Sequence, residues 1–252
     1  MSKYVPNSAL IYQDYSLAVP NEEVSLIITG LNGNSNNSKT GRMAQLYLLC
    51  SQKPSDAIRN GIDKAVCGHC SLRNSKDNNG INCYVNTHHL QRTWYALKGN
   101  RYQHMSLWQV RDILLANKTP LRVTAYGDMA LIASGYDILD TLTSSTQFTG
   151  YTHQHNEQFF DHRLATKLML SVDSLAHKLE TQKRFPNCRT YRILAKNEVK
   201  QNDEILCPSK KIPLPHGGFR RNIQCQTCLL CNAYSKFNIA TMPLPAPLSR
   251  VK

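Results

Sequence analysis

The apolar positions of the chain switch repeatedly between short β-branched runs and longer segments with helical spacing. The short runs predict buried strands, which we place at 24–29, 121–126, 148–153, 167–172 and 190–194. The longer segments predict helices at 54–58, 87–98, 106–116, 136–142, 157–164 and 175–182. The apolar run 44–50 suits a strand or a helix equally well. This alternation is typical of βα units.

Strands that alternate with helices usually form a parallel sheet that is covered on both faces. Right-handed crossovers then place the functional loops at the carboxyl ends of the strands. We therefore expect an α/β fold, a (β/α) barrel or partial barrel with cysteine-rich loops at one end. A single domain is expected over 1–252. Its βα core is predicted at 24–206, with a cysteine-rich insertion at about 65–85 and a C-terminal cysteine-rich cluster-binding segment at 207–235.

Polar side chains come at the ends of three predicted strands. Asp128, His153 and Asp173 each lie at or just after an apolar run. The loops at these ends build the active sites of α/β barrels, so we predict that the three residues are catalytic, as proton-transfer or positioning groups. The alternative is that Asp128 and Asp173 cap the following helices and that the histidine is an ordinary loop residue.

The cysteines suggest metal chemistry. Seven of the nine fall into two groups. The N-terminal residues lack a basic start followed by an apolar core, so no secretory signal is recognised and a cytoplasmic protein is expected. Cytosolic thiols rarely close structural disulfides, which favours metal or cluster ligation. Cys50 and Cys188 lie in or next to apolar segments and are predicted to be packing residues.

The second cysteine group has a ferredoxin-like spacing. Two residues separate Cys225 from Cys228 and Cys228 from Cys231, and a proline follows Cys207. In bacterial-type ferredoxins such a run binds a 4Fe–4S cluster together with a thiolate from elsewhere in the chain. We therefore predict a 4Fe–4S cluster on these four cysteines. The competing interpretation is zinc, which prefers four nitrogen or sulfur ligands in a tetrahedron.

The first cysteine group offers three thiolates, on Cys67, Cys70 and Cys83. One interpretation is a zinc site completed by a nearby histidine, for which the candidates are His69, His88 and His89. The other is a second 4Fe–4S cluster with one iron open to a substrate or cofactor, as a catalytic metal site requires. One or two clusters are therefore expected, and chemistry would occur at the open position.

The charge of the chain adds a candidate partner. Thirty Lys and Arg residues against 17 Asp and Glu give a formal net charge of +13. A field of this size attracts polyanions, so nucleic acid or a host nucleic-acid machine is a candidate partner. Tyr84, Trp94 and Tyr102 offer stacking faces, although each also suits a core position. The longest apolar runs fall far short of the ~20 residues that span a bilayer, so no membrane segment is expected.

The loop 33–40 approaches the phosphate-binding pattern G-x4-G-K-[ST], but Ser38 stands where the pattern has its second glycine. Without that glycine the backbone does not easily adopt the required conformation, so a nucleoside triphosphatase is not expected. Lys39 is still a candidate for binding an anion or cofactor.

Several motifs occur together in the chain: Ser38-Lys-Thr-Gly41, Cys67-Gly-His-Cys70, Cys83-Tyr-Val-Asn86, Tyr126-Gly-Asp128, Tyr151-Thr-His153, and Cys207-Pro with Cys225-x2-Cys-x2-Cys231. This combination resembles the bacteriophage gene product 88 family over about residues 24–240. The resemblance implies a phage protein that works in the host cytoplasm. Three cysteines near the start of a βα barrel also resemble radical S-adenosylmethionine enzymes, although the spacing C-x3-C-x2-C is absent. That resemblance implies S-adenosylmethionine as a cofactor.

Overall fold

The structure, a computed structural model, describes residues 6–35, 37–73, 83, 85, 87–195, 197–209, 211–213 and 219–241. Its strands are β1 (Ser8–Tyr15), β2 (Glu23–Thr29), β3 (Ala44–Cys50), β4 (Gln103–His104), β5 (Leu121–Tyr126), β6 (Phe148–Thr149), β7 (Tyr151–Thr152), β8 (Met169–Val172), β9 (Thr190–Ile193), β10 (Glu204–Leu206), β11 (Lys211–Pro213), β12 (Phe219–Arg221) and β13 (Asn238–Thr241). Its α-helices are α1 (Pro54–Asn60), α2 (Lys64–Cys67), α3 (Thr87–Lys98), α4 (Leu107–Ala116), α5 (Gly135–Thr143), α6 (Leu175–Arg184) and α7 (Cys225–Cys228). Short 3-10 helices lie at Met129–Leu131 and His162–Thr166.

The strands form two larger sheets and a two-stranded ribbon of β11 and β12. The first sheet has the order β4-β1-β2-β3-β5-β6, and the second has the order β10-β13-β9-β8-β7. β1, β2 and β3 pair antiparallel, whereas β3, β5 and β6 pair in parallel, as do all strands of the second sheet. The chain therefore has the mixed α/β fold that its alternating pattern predicts. No pairing among the described strands closes a barrel.

One continuous segment joins the two sheets. β6 pairs with β5, and directly after Gly150 the chain pairs with β8 as β7. A Cβ atom on Gly150 would lie only 2.7 Å from Leu168 Cδ2 and 2.8 Å from Val123 Cβ, so this crossing requires glycine. The Gly150 N–H also donates to the carbonyl of Cys231 at 2.8 Å. The crossing between the sheets is thus tied directly to the second cysteine group.

Local signals explain where the helices begin. Pro54 lies in the first turn of α1, where backbone N–H groups have no partner within the helix. Proline, which lacks this N–H, therefore costs the helix no hydrogen bond there. Ser106 caps α4 in a reciprocal capping box with Gln109, and Ser174 caps α6 through the N–H of His177. Among the described residues, no helix is long and apolar enough to cross a membrane.

The structure decides one prediction that the sequence left open and contradicts another. The ambiguous run 44–50 is strand β3, which lies almost entirely buried between β2 and β5. The helix predicted at 157–164 is wrong: this stretch is made of turns that lead into the 3-10 helix His162–Thr166. The reason is that the Asp161 carboxylate accepts from the N–H of Arg163, which starts a new helical turn at His162, five residues after the predicted start.

Candidate metal centre

The first cysteine group lies at the carboxyl ends of the parallel strands. Cys67 follows β3 through α1 and α2, while Asp128 follows β5 and His153 follows β7. These residues line one cavity of about 70 Å³, together with Cys70, Cys83, Leu72, Val85, Thr124, Ala125, Tyr126, Gly127 and Tyr151. The structure thus brings all three cysteines of the group together with two of the three predicted catalytic residues.

A buried glutamine holds the loop between the first two of these cysteines. Gln154 is fully buried; its Nε2 donates to the Cys67 carbonyl at 3.0 Å and its Oε1 accepts from the His69 N–H at 3.1 Å. Gly68, with φ of 54°, faces it so closely that an added Cβ would lie 2.0 Å from the amide oxygen. Sequence reasoning missed Gln154, although it directly follows His153 in the chain.

An ion pair closes the same loop from the other side. The Arg73 guanidinium donates Nε and Nη2 to the two oxygens of Asp63 at 2.9 and 2.8 Å, and Nη1 to the Gly68 carbonyl at 3.2 Å. Asp63 is 2 % exposed, so this bidentate pair is shielded from water. It fixes α2 and the start of the cysteine loop against each other.

Burial dominates the electrostatics of the first cysteine group. It raises the pKa of the Cys70 thiol to about 12, and it raises the pKa of Cys67 well above its usual range. The negative charges of Cys83 and Cys70 also raise the pKa of Cys67, whereas a hydrogen bond with the Tyr126 side chain lowers it. All three thiols line the same cavity. A bound cation would reverse the balance, because metal ligands bind as thiolates.

Asp128 has a structural role that the sequence analysis held as the alternative. Its carboxylate caps the helix Met129–Leu131 by accepting from the Ala130 N–H at 3.1 Å. It also accepts from the His153 N–H at 2.8 Å and from Thr152 Oγ1 at 3.1 Å, which ties β5 to the end of β7. Burial raises its pKa to about 6, against the effect of these donors. The capping interpretation is confirmed for Asp128.

His153 and Asp173 occupy different positions. His153 lines the cavity, and burial lowers the pKa of its imidazole to about 4, so the ring is neutral near pH 7. Asp173 is exposed and accepts from Ser71 Oγ at 2.5 Å, so it contacts the cysteine loop from outside. The idea that Asp173 caps the next helix is wrong, because Ser174 supplies the cap of α6. Its backbone N–H donates instead to His177 Nδ1 at 3.2 Å.

The three histidines proposed as a fourth ligand lie elsewhere. His69 is half exposed, and its Nδ1 lies 2.8 Å from Glu157 Oε1. His88 and His89 are exposed on α3. None of the three is among the described residues that line the cavity, whereas His153 is.

The second cysteine group is assembled from two segments of the chain, Cys207 and 225–231. The Cys207 N–H donates to the Ala240 carbonyl at 2.7 Å directly after β10, and the Cys231 carbonyl accepts from Gly150. Cys207 and Cys231 pack in one small apolar cluster with Met169 and Ile239. The pKa of the Cys231 thiol is raised to about 12, mainly by burial and also by negative charge on Cys207, Cys225 and Cys228. Cys207 and Cys231 therefore lie in one apolar cluster, and Cys225 and Cys228 belong to the short segment that ends at Cys231.

The loop that resembles a phosphate-binding motif supports this second group. The N–H groups of Cys225 and Gln226 donate to the carbonyls of Lys39 and Thr40 at 3.0 and 3.1 Å. Gly41, with φ of 71°, lies so close that an added Cβ would be 2.5 Å from Gln226 Cδ. Burial raises the pKa of the Cys225 thiol, and the positive charges of Lys39 and Arg122 oppose that rise. Lys39 therefore lies at the cysteine group, and its role in binding a cofactor stays a prediction.

The two remaining cysteines behave as predicted. Cys50 is 5 % exposed within the main core, and Cys188 packs against that core with its thiol 3.5 Å from the Ala165 carbonyl oxygen. Within the part of the chain that the structure describes, no three His, Cys, Asp or Glu side chains converge closely enough to hold one metal ion. No family model matches the chain, and comparisons with curated proteins and with solved structures find no match.

Proposed function

We propose that the chain is an iron–sulfur protein with a 4Fe–4S cluster on Cys207, Cys225, Cys228 and Cys231. The ferredoxin-like spacing of Cys225, Cys228 and Cys231, together with the packing of Cys207 and Cys231 in one apolar cluster, carries this proposal. Zinc is the alternative at either cysteine group. When bound, a 4Fe–4S cluster can transfer single electrons or stabilise the fold that holds it.

The chemistry of the thiols suits a cluster. Sulfurs around a tetrahedral zinc ion at bond lengths of about 2.3 Å lie only ~3.8 Å apart, whereas the ligands of a cube bind four different irons and stand further apart. Tyr151 packs against the apolar cluster that contains Cys231, and its hydroxyl is the kind of donor that ligating thiolates accept.

The first cysteine group supports an enzyme. Cys67, Cys70 and Cys83 would hold a second cluster with one iron that has no protein ligand, where S-adenosylmethionine or another small ligand would bind. The cavity of about 70 Å³ holds only a few atoms, so S-adenosylmethionine would extend beyond it. The neutral imidazole of His153 could accept a proton there. Asp128 would position the histidine backbone, and Asp173 would hold the cysteine loop through Ser71.

Electron paramagnetic resonance of the reduced protein tests this enzyme function. Adding S-adenosylmethionine or another small ligand should change the signal of a cluster with an open iron, while the four-thiolate cluster should not respond. Cys83→Ala should abolish the response and leave the other signal intact. A spectrum that stays unchanged with every ligand would contradict the open site.

A second candidate function is a basic protein, stabilised by iron–sulfur or zinc, that binds nucleic acid or a host nucleic-acid machine. Trp108 is 59 % exposed with the Arg111 guanidinium 4.4 Å from its ring centre, and Tyr95 is 50 % exposed. Trp94 and Tyr102 instead pack against the main core, and Tyr84 lies outside the described residues. Binding to single-stranded nucleic acid should weaken by orders of magnitude between about 50 and 200 mM salt if six or more phosphates are engaged.

The proposal also includes the type of fold, the kind of protein and the compartment in which it acts. The two sheets would continue through Gly150 as a partial (β/α) barrel, with both cysteine groups on its loops. The motif combination still suggests a phage protein similar to the gene product 88 family, acting in the host cytoplasm. A pull-down of the intact protein from infected cells, followed by identification of bound nucleic acid, would test the second function against the first.

A further inference from the structure

The two cysteine groups meet at one tyrosine. Tyr151 lines the cavity that contains Cys67, Cys70 and Cys83. Its side chain also packs against the apolar cluster of Cys231, Met169 and Ile239, and Cys231 belongs to the second group. Tyr151 thus contacts both groups, although they are far apart in the sequence.

The backbone holds Tyr151 firmly in this place. It is the first residue of β7 and pairs with Met169 of β8, and the preceding N–H of Gly150 donates to the Cys231 carbonyl. The carbonyl of Tyr151 lies 3.5 Å from Thr124 Oγ1 in the first sheet. Its ring packs against Tyr191 with ring centres 4.4 Å apart. The tyrosine is therefore fixed where the two sheets join.

We propose that the two cysteine groups form one two-centre unit, with Tyr151 as their shared wall and as a positioning residue that donates a hydrogen bond to the Cys231 thiolate. This inference rests on the proposed iron–sulfur function. It adds that the second cluster is electronically linked to the cavity rather than being a remote structural element.

Two consequences follow from this arrangement. A hydrogen bond to a ligand sulfur stabilises the more negatively charged, reduced state of a cluster, so its loss should make the second cluster harder to reduce. Two reduced clusters on opposite sides of one side chain should also perturb each other's electron spins. A pair of remote clusters would show neither effect.

The conservative variant Tyr151→Phe isolates the hydroxyl. Its iron and acid-labile sulfide should equal those of the unmodified protein, measured first in the intact holoprotein. A potentiometric titration with a one-electron reductant should then show the second cluster shifted to a more negative midpoint. We expect about a tenfold fall in its reduced-to-oxidised ratio at fixed potential, which is about 59 mV for a one-electron couple. Tyr15→Phe, at an exposed tyrosine on β1, is the matched control and should leave the midpoint unchanged.

A second measurement tests the proximity itself. In the reduced holoprotein, Cys228→Ala should remove the second cluster and lengthen the spin relaxation time of the first. Full iron and sulfide in Tyr151→Phe with an unchanged midpoint, or unchanged relaxation in Cys228→Ala, would overturn the two-centre unit while leaving the iron–sulfur function standing. Absence of iron and sulfide from the unmodified protein would instead remove the function and this inference together.

Discussion

Replacing Gln154 by alanine should weaken the first cysteine group selectively. The Gln154 side chain is fully buried and makes hydrogen bonds to the Cys67 carbonyl at 3.0 Å and the His69 N–H at 3.1 Å. Alanine removes both bonds and leaves two backbone groups of the cysteine loop without these partners. The loop between Cys67 and Cys70 would then lose the contact that fixes its conformation.

The structure sets the size of the effect. A buried group that loses its hydrogen-bond partner costs about 1–3 kcal/mol, and His69 lies near the surface, where water can replace part of the lost bond. For the two bonds together we expect Gln154→Ala to lower the free energy of unfolding by about 2–4 kcal/mol. Urea unfolding of the variant and the unmodified protein, both without metal, measures this difference directly.

Gln13→Ala is the matched control. Gln13 also makes two side-chain hydrogen bonds, to Glu23 Oε1 and Ser25 Oγ, but it is exposed on β1. Its replacement should change stability by no more than about 0.5 kcal/mol. In the holoprotein, Gln154→Ala should lose iron from the first group and keep the second. Stability equal to the control, with iron fully retained in both groups, would refute the role of Gln154.

Two further outcomes follow from other contacts. Glu204→Gln should lower stability by about 3 kcal/mol, since this buried carboxylate pairs with Arg192 and Lys178. Burial would raise the Glu204 pKa, but the Arg192 hydrogen bonds lower it from 4.5 to about 2. The stabilisation should therefore be complete above pH 4.5 and fade as the pH falls toward 2, as urea titrations across that range would show; equal losses at pH 7 and pH 2 would contradict it. Gly41→Ala should displace Gln226 and reduce iron bound by the second group, measured by metal analysis against Gly61→Ala, whose added Cβ meets nothing within 4 Å; equal iron in the two variants would contradict this.

The sequence predicted the elements with a clear period and the grouping of cysteines by spacing. Strand β2 and helix α3 lie where the apolar pattern placed them, because each depends on local burial and turn signals. The two cysteine groups follow from short spacings that a loop can realise locally. The same local reasoning failed at 157–164, where the Asp161 cap begins a separate helical turn.

Other parts of the site depend on contacts between distant residues. Gln154 contacts Cys67, which is 87 positions away in the sequence, and the residues next to Gln154 in the sequence do not indicate that contact. The loop at Lys39 resembled a phosphate-binding motif, yet its carbonyls accept from the N–H groups of Cys225 and Gln226. The histidines next to the first cysteines suggested a fourth ligand, whereas the histidine in the cavity comes from the end of β7. Such pairings are set by strand order, which spacing alone does not specify.

Iron and acid-labile sulfide in anaerobically purified protein test the central claim most directly. We expect a brown protein with about four iron and four sulfide ions for each occupied cysteine group. Cys228→Ala should lose the iron and sulfide held with Cys207, Cys225 and Cys231 and should unfold at a lower temperature, because metal binding is linked to folding. Stoichiometric zinc without sulfide in the unmodified protein would contradict the proposal that the cysteine groups bind iron–sulfur clusters.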